Sequence, residues 1–187
     1  LLDSEVIIWT TTPWTIPANK ALAYNKSLKY LIIEVTSDSD FKNKKLIVAK
    51  DLLNSFVNEC KIEKFQTISE FLGNDFEGTI CSHPFHNLGY DYNVPMLEAW
   101  FVTTEQGTGI VHCAPSHGPD DFNLCLNNGI KALETVDDDG KYTNNIPLFE
   151  GTHIFKANTI VIEKLKKEKK LVFLSLIHIW RCRRLIR

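Results

Sequence analysis

The sequence contains one methionine, Met96, and none at its first position. It therefore reads as a domain excised from a longer chain. It has no run of 18 or more apolar residues, which excludes a transmembrane helix of the hydropathy-defined kind. Its start, "LLDSEVIIWT", has neither a basic stretch nor a small-residue cleavage site, so it does not read as a secretory signal. No Cys-x-x-Cys pair occurs. The five cysteines, at 60, 81, 113, 125 and 182, are odd in number. Both facts argue against a disulfide scaffold and a zinc ribbon, and they fit a reducing, cytoplasmic setting. Cys113 and Cys125 read as small buried apolar side chains. Internal repeats and low-complexity segments are also missing.

Excess positive charge is lacking too. The formal charge is −2, and four arginines fall within the last seven residues, at 181, 183, 184 and 187. Without them 17 basic residues face 23 acidic ones, a balance of −6. That is no footprint for gripping a long stretch of nucleic-acid backbone; any contact with nucleic acid must be short. The 187 residues, 44% hydrophobic and 24% charged, fit one sizeable globular domain. The tail "LSLIHIWRCRRLIR" (174–187) departs from the pattern before it. Its reverse translation can match a transposon-derived sequencing adapter, with UGA read as Trp180, and the expected division is a domain at 1–173 and a non-native tail at 174–187. Genuine chain is the competing reading, and the codons decide between them.

What is present is mostly short strands. "EVIIWT" (5–10), "KYLIIEV" (29–35) and "KLIVA" (45–49) are apolar and β-branched. "IEKFQTI" alternates, and "FEGTI", "MLEAWFVT" and "GIVHCA" (109–114) complete the set. "KDLLNSFVNEC" (50–60) has helical spacing. Pro119, Asp120, Asp121 and a closing Gly129 mark a short helix. "KANTIVIEKLKKEKK" (156–170) is a second amphipathic helix, with Ile160, Ile162 and Leu165 on or near its inner face. Many strands and few helices predict a mainly β fold with α, a closed or nearly closed barrel-like structure with peripheral helices.

Two polar segments stand out. "WTTTPWT" (9–15) sets three hydroxyls in a row at the end of an apolar strand, before a proline. "GTGIVHCAPSHGPDDF" (107–122) runs from glycines through a strand carrying His112 to a helix start with Asp120 and Asp121. Singly, each has a plain reading: hydroxyls capping a turn, a core histidine, helix N-terminal charge. Gly107 and Gly109, flanking Thr108, either admit a close backbone approach or relieve crowding. His83, His86, His112, His117, Asp120 and Asp121 match no strong metal-ligand spacing, so no metal is assigned. Ser116 lacks a nucleophile-elbow context. Taken together, two strand ends, each followed by a proline, make a natural rim for a site.

"WTTTPWTIPANKAL" and "GTGIVHCAPSHGPDDF" resemble the two signature segments of the editing domain of isoleucyl-tRNA synthetase, an insertion in a class I catalytic domain. The resemblance runs from near residue 5 to near 173, and includes "HPF" at 83–85 and "GTHIFKAN" at 151–158. The valine and leucine enzymes are similar more loosely. Thr12, Trp14 and His112 favour the isoleucine enzyme. The resemblance implies hydrolysis of valine misattached to tRNA(Ile), and of valyl-adenylate. It implies catalytic roles for Asp121, His112, Thr11 and Thr12. It implies substrate contacts by Trp9, Thr10, Asn19, Gly107, Thr108 and Gly109. Asp121 would hold the α-ammonium group, and His112 would stand near the ribose and the ester. The implied partners are the 3′ end of valyl-tRNA(Ile) and the remainder of the synthetase, with no membrane. No cofactor is implied for editing; ATP and Mg belong to the synthetic domain, whose signatures are absent. A free-standing or metal-dependent ester hydrolase, and a binding module for an RNA end, remain the alternatives from other classes.

These residue types suit that chemistry. An ammonium group needs a fixed anion, strengthened by enclosure. Threonine hydroxyls both donate and accept toward an ester, a water and ribose hydroxyls. Esters are already activated, so positioning and oxyanion stabilisation can suffice. Regular strand alternation would send Thr10 and Thr12 to one face and Thr11 to the other. All three reach one substrate only if the chain leaves strand geometry there.

Overall fold

The computed structural model describes residues 3–37 and 39–174. The tail expected to be non-native therefore lies outside the described residues, apart from Leu174. Two four-stranded sheets form the frame. The first has the order β1 (Ser4–Val6), β4 (Lys45–Ala49), β3 (Lys29–Val35), β5 (Phe65–Leu72). The second has the order β6 (Ile80–Ser82), β7 (Asn93–Glu98), β2 (Ala21–Tyr24), β8 (Ile110–Cys113). Among the described residues three α-helices, α1 (Leu53–Glu59), α2 (Pro119–Asn127) and α3 (Ile154–Lys167), accompany the sheets. The expected mainly β fold with few helices is thus present. Its closure is not: among the described residues the strands form two open sheets and no closed barrel.

The sheets share a core. Leu22, Tyr24, Val94, Met96 and Ile110 of the second sheet pack with Tyr30, Ile33, Leu46 and Ile47 of the first. Tyr30 meets Phe76 edge-on at 4.9 Å, and Phe71 meets Phe76 at 5.1 Å. Each such pair contributes about 0.5–1.5 kcal/mol beyond its area burial. This core also fixes the approach to β8. The Tyr30 hydroxyl donates to the Gly109 carbonyl at 2.8 Å, and the Ala49 N–H donates to the Thr108 carbonyl at 2.8 Å. A Cβ on Gly109 would stand 2.3 Å from the Ala49 Cβ, and the residue has φ +75°. Only glycine fits that approach.

β2 was absent from the expected elements. "ALAY" is short and alanine-rich, so it lacks the β-branched signal. It is nevertheless central, parallel to β7 and antiparallel to β8, and wholly buried. Ala21 and Ala23 face Cys113 and Cys125, while Leu22 and Tyr24 face the main core. β1 is shorter than expected. It ends at Val6 rather than running to Thr10. The buried stripe of α3 is Ala157, Val161 and Leu165, not Ile160 and Ile162. Their spacing of four keeps them on one face. No helix among the described residues is long and apolar enough to cross a membrane.

Candidate functional site

After β1 the chain leaves the sheet. Beyond Ile7, residues 8–12 belong to no strand, and Pro13–Ala18 form a 3₁₀ helix. Pro13 suits that start, because the missing N–H would have no helical partner there. In a 3₁₀ helix, side chains three apart eclipse one another. Thr12 and Thr15 accordingly present their hydroxyls to each other at 3.2 Å. The departure from strand geometry also resolves the alternation problem: Thr10, Thr11 and Thr12 all line one cleft.

That cleft has a volume of about 1300 Å³. Its lining includes Trp9, the three threonines, Asn19, Gly107, Thr108 and His112, together with apolar side chains such as Phe56, Phe76 and Val172. The two signature segments, about a hundred residues apart in sequence, meet here. Gly107 has φ +86°, and a Cβ on it would stand 3.3 Å from the Trp9 Cβ. This is one of the places where the two segments touch. Gly109 and Asp121, expected in the same site, are not among the lining residues. Gly109 packs on Ala49 instead. Asp121 sits in the first turn of α2, and its Oδ2 accepts the Ala114 N–H at 2.8 Å. Burial raises its pKa, partly opposed by that hydrogen bond.

His112 faces Leu22 across the β2–β8 pair and is 9% exposed. Its Nε2 lies 3.1 Å from the Thr15 Oγ1. The proton of the Thr15 hydroxyl goes to the Thr12 carbonyl at 2.8 Å. A hydroxyl has one proton. The network therefore assigns the N–H of His112 to Nε2, donating to Thr15. Nδ1 is left as an acceptor, buried and without a partner among the described residues. Burial pushes the pKa of His112 down to about 4, so the ring is neutral near pH 7. The Asn19 Oδ1 is likewise buried and unpartnered. Of the three such side-chain atoms among the described residues, two belong to residues lining this cleft. An unpaired buried acceptor costs about 1–3 kcal/mol. Two residues of the cleft lining thus each carry a buried acceptor that no donor among the described residues satisfies.

The other candidate metal ligands disperse. His83 donates from Nε2 to the Ile16 carbonyl and accepts the Phe85 N–H at Nδ1. His86 pairs with Asp91, and His117 with Thr135. Among the described residues no group of three or more His, Cys, Asp or Glu could hold a metal ion. Cys113 and Cys125 are fully buried free thiols, as small apolar residues would be. Sequence reasoning overlooked Thr15. Its spacing from Thr12 after a proline was the available signal.

No family model matches the chain. Curated proteins do. Isoleucine–tRNA ligase of Pelagibacter ubique (strain HTCC1062) is 72% identical over 172 residues, 92% of this chain and 19% of that enzyme. The same ligase of Gluconobacter oxydans (strain 621H) is 45% identical over 170 residues, 89% of this chain and 18% of that enzyme. The chain is homologous to a segment of isoleucine–tRNA ligase. It spans about a fifth of the length of these ligases. Its fold matches that of synthetase editing domains. The crystal structure of GlLeuRS-CP1 superposes with TM-score 0.69 at 16% identity, covering 94% of this chain and 86% of that one. The editing domain of the P. falciparum cytosolic leucyl-tRNA synthetase, with two insertions deleted, gives TM-score 0.63 at 12% identity, covering 89% and 78%. At such identities the likeness is one of fold. The likeness to the isoleucine enzyme in particular lies in the ligase sequences.

Proposed function

We propose that this ligase segment is an editing hydrolase domain that cleaves the ester of valyl-tRNA(Ile), and valyl-adenylate, in the cytoplasm. The observation that carries the reading is the pair of unpartnered buried acceptors, His112 Nδ1 and Asn19 Oδ1, on the cleft lined by the three threonines. When substrate binding uncovers the buried His112 Nδ1, a ribose hydroxyl supplies the donor it lacks. With its pKa near 4, His112 is too weak a base to hold a proton near neutrality, so it positions rather than shuttles. The threonine hydroxyls orient the attacking water. Its oxygen bonds to the ester carbon, the bond from that carbon to the ribose oxygen breaks, and the water proton goes to that oxygen. Asp121 lies outside the cleft lining, but its carboxylate is held by the Ala114 N–H two residues beyond His112, and this reading assigns it to the α-ammonium group.

A second site is needed because one methylene changes binding by only about 1–3 kcal/mol, a general figure for isoleucine-specific pockets rather than one measured on this chain. Stiff threonine methyls beside Trp9 form a small wall that admits valine and refuses isoleucine. The remainder of the ligase delivers the tRNA end, in keeping with a domain that carries no excess of positive charge. In the full ligase, Asp121→Ala is expected to abolish deacylation of valyl-tRNA(Ile) while aminoacylation persists. Undiminished deacylation would remove Asp121 from the mechanism.

A further inference from the structure

The threonine turn is held by two side chains from distant parts of the chain, both acting on the backbone of one residue, Trp14. The Trp14 N–H lies in the first turn of the 3₁₀ helix, where no intrahelical carbonyl serves it, and no side chain caps that helix. It donates instead to the Asn158 Oδ1 at 3.0 Å, 144 residues away. The Trp14 carbonyl accepts from the Tyr142 hydroxyl. Tyr142 is 1% exposed and packs with Ile146, Phe149 and Ala157 in the second core cluster, so its anchor is rigid. Asn158 stands in the second turn of α3, whose start is fixed by His153 accepting the Phe155 N–H. Trp14 lies between Thr12 and Thr15, the two residues whose hydroxyls meet and lead to His112.

We infer that Asn158 and Tyr142 are positioning residues for the hydrolysis. They clamp the two peptide groups that flank Trp14, and the clamp sets where the Thr12 and Thr15 hydroxyls stand relative to His112. Asn158 acts through its side-chain oxygen. Losing the clamp lets the turn shift, and a misplacement of about 1 Å can lower a rate by about a hundredfold. The inference rests on the proposed hydrolytic reading of the cleft.

The test uses the full ligase carrying this segment. Deacylation of valyl-tRNA(Ile) is measured for the wild type and for Asn158→Ala, Asn158→Asp and Tyr142→Phe, with aminoacylation as the check on folding. Wild-type deacylation tests the hydrolytic reading by itself; the variants test the clamp. Asn158→Ala and Tyr142→Phe are expected to lower kcat by about tenfold or more at little-changed KM, and aminoacylation should hold. Asn158→Asp keeps an acceptor for the Trp14 N–H and should restore most of kcat. A wild type that deacylates, with Asn158→Asp as impaired as Asn158→Ala, would overturn the clamp. So would variants that raise KM and leave kcat intact. If Tyr142→Phe also lowers aminoacylation, the Asn158 pair of variants decides.

Discussion

His83 and His112 are both buried, both donate from Nε2, and burial pushes both pKa values down to about 4. They differ at the other nitrogen. His83 Nδ1 accepts the Phe85 N–H, and its ring stacks on Tyr90 at 4.4 Å with an interplanar angle of 11°. Every polar atom of that ring is satisfied. His112 Nδ1 is unpartnered, although both residues line the cleft. Burial and a shifted pKa therefore do not separate a structural histidine from a functional one here. The unfilled acceptor does. Natural interiors leave few buried polar atoms unpaired, so one at a cleft wall points to a ligand that completes it.

The largest effect that would sharpen this comparison comes from exchanging each ring for alanine. His112→Ala should cut valyl-tRNA(Ile) deacylation by about a hundredfold or more, with the thermal midpoint of this chain little changed. His83→Ala removes a donor from Ile16 and a packed ring, and should lower the midpoint by about 5–10 °C. Equal loss of stability in both variants would erase the distinction. Acid titration gives a smaller effect, one in which the two rings should behave alike. Each is neutral when folded, with a pKa below its ordinary value near 6.5. The unfolded chain takes up the proton first as pH falls. Stability is then complete above about pH 6.5 and declines toward about pH 4, by roughly 3 kcal/mol for each ring at full protonation. Denaturant unfolding across that range checks it, and a flat profile would mean that the rings are not buried as described.

The smallest effects lie in the wall. Thr12 belongs to the hydroxyl chain leading to Thr15 and His112, whereas Thr11 is more exposed. Thr12→Ala should slow deacylation by about tenfold, and Thr11→Ala should change mainly the ratio of valyl to isoleucyl hydrolysis, by about threefold. An unaltered ratio in Thr10→Ala, Thr11→Ala and Thr12→Ala alike would make the run structural.

Much of this was legible from the sequence, and the exceptions have physical reasons. β3 and β4 lie where their β-branched runs placed them, and α2 begins at Pro119 as its start signals required. β2 was hidden because a central strand can be built from alanines when close packing on both faces replaces side-chain bulk. The threonine run looked like strand, but its last ladder contact, the Ile7 N–H to the Ile47 carbonyl at 3.4 Å, is already long. Beyond it Pro13 commits the chain to a turn. The convergence of Trp9, Thr10, Thr11, Thr12 and His112 on one cleft followed from the two segments together. The separate seat of Asp121 on the Ala114 N–H, and the Trp14 clamp, depend on contacts between distant elements that spacing does not encode.

The most direct measurement is single-turnover hydrolysis of valyl-tRNA(Ile) and isoleucyl-tRNA(Ile) by the full ligase, wild type and His112→Ala. The account predicts that the wild type cleaves the valyl ester at least about tenfold faster than the isoleucyl ester, and that His112→Ala removes this advantage by slowing the valyl reaction. Equal wild-type rates for the two esters, or undiminished valyl hydrolysis in His112→Ala, would contradict it.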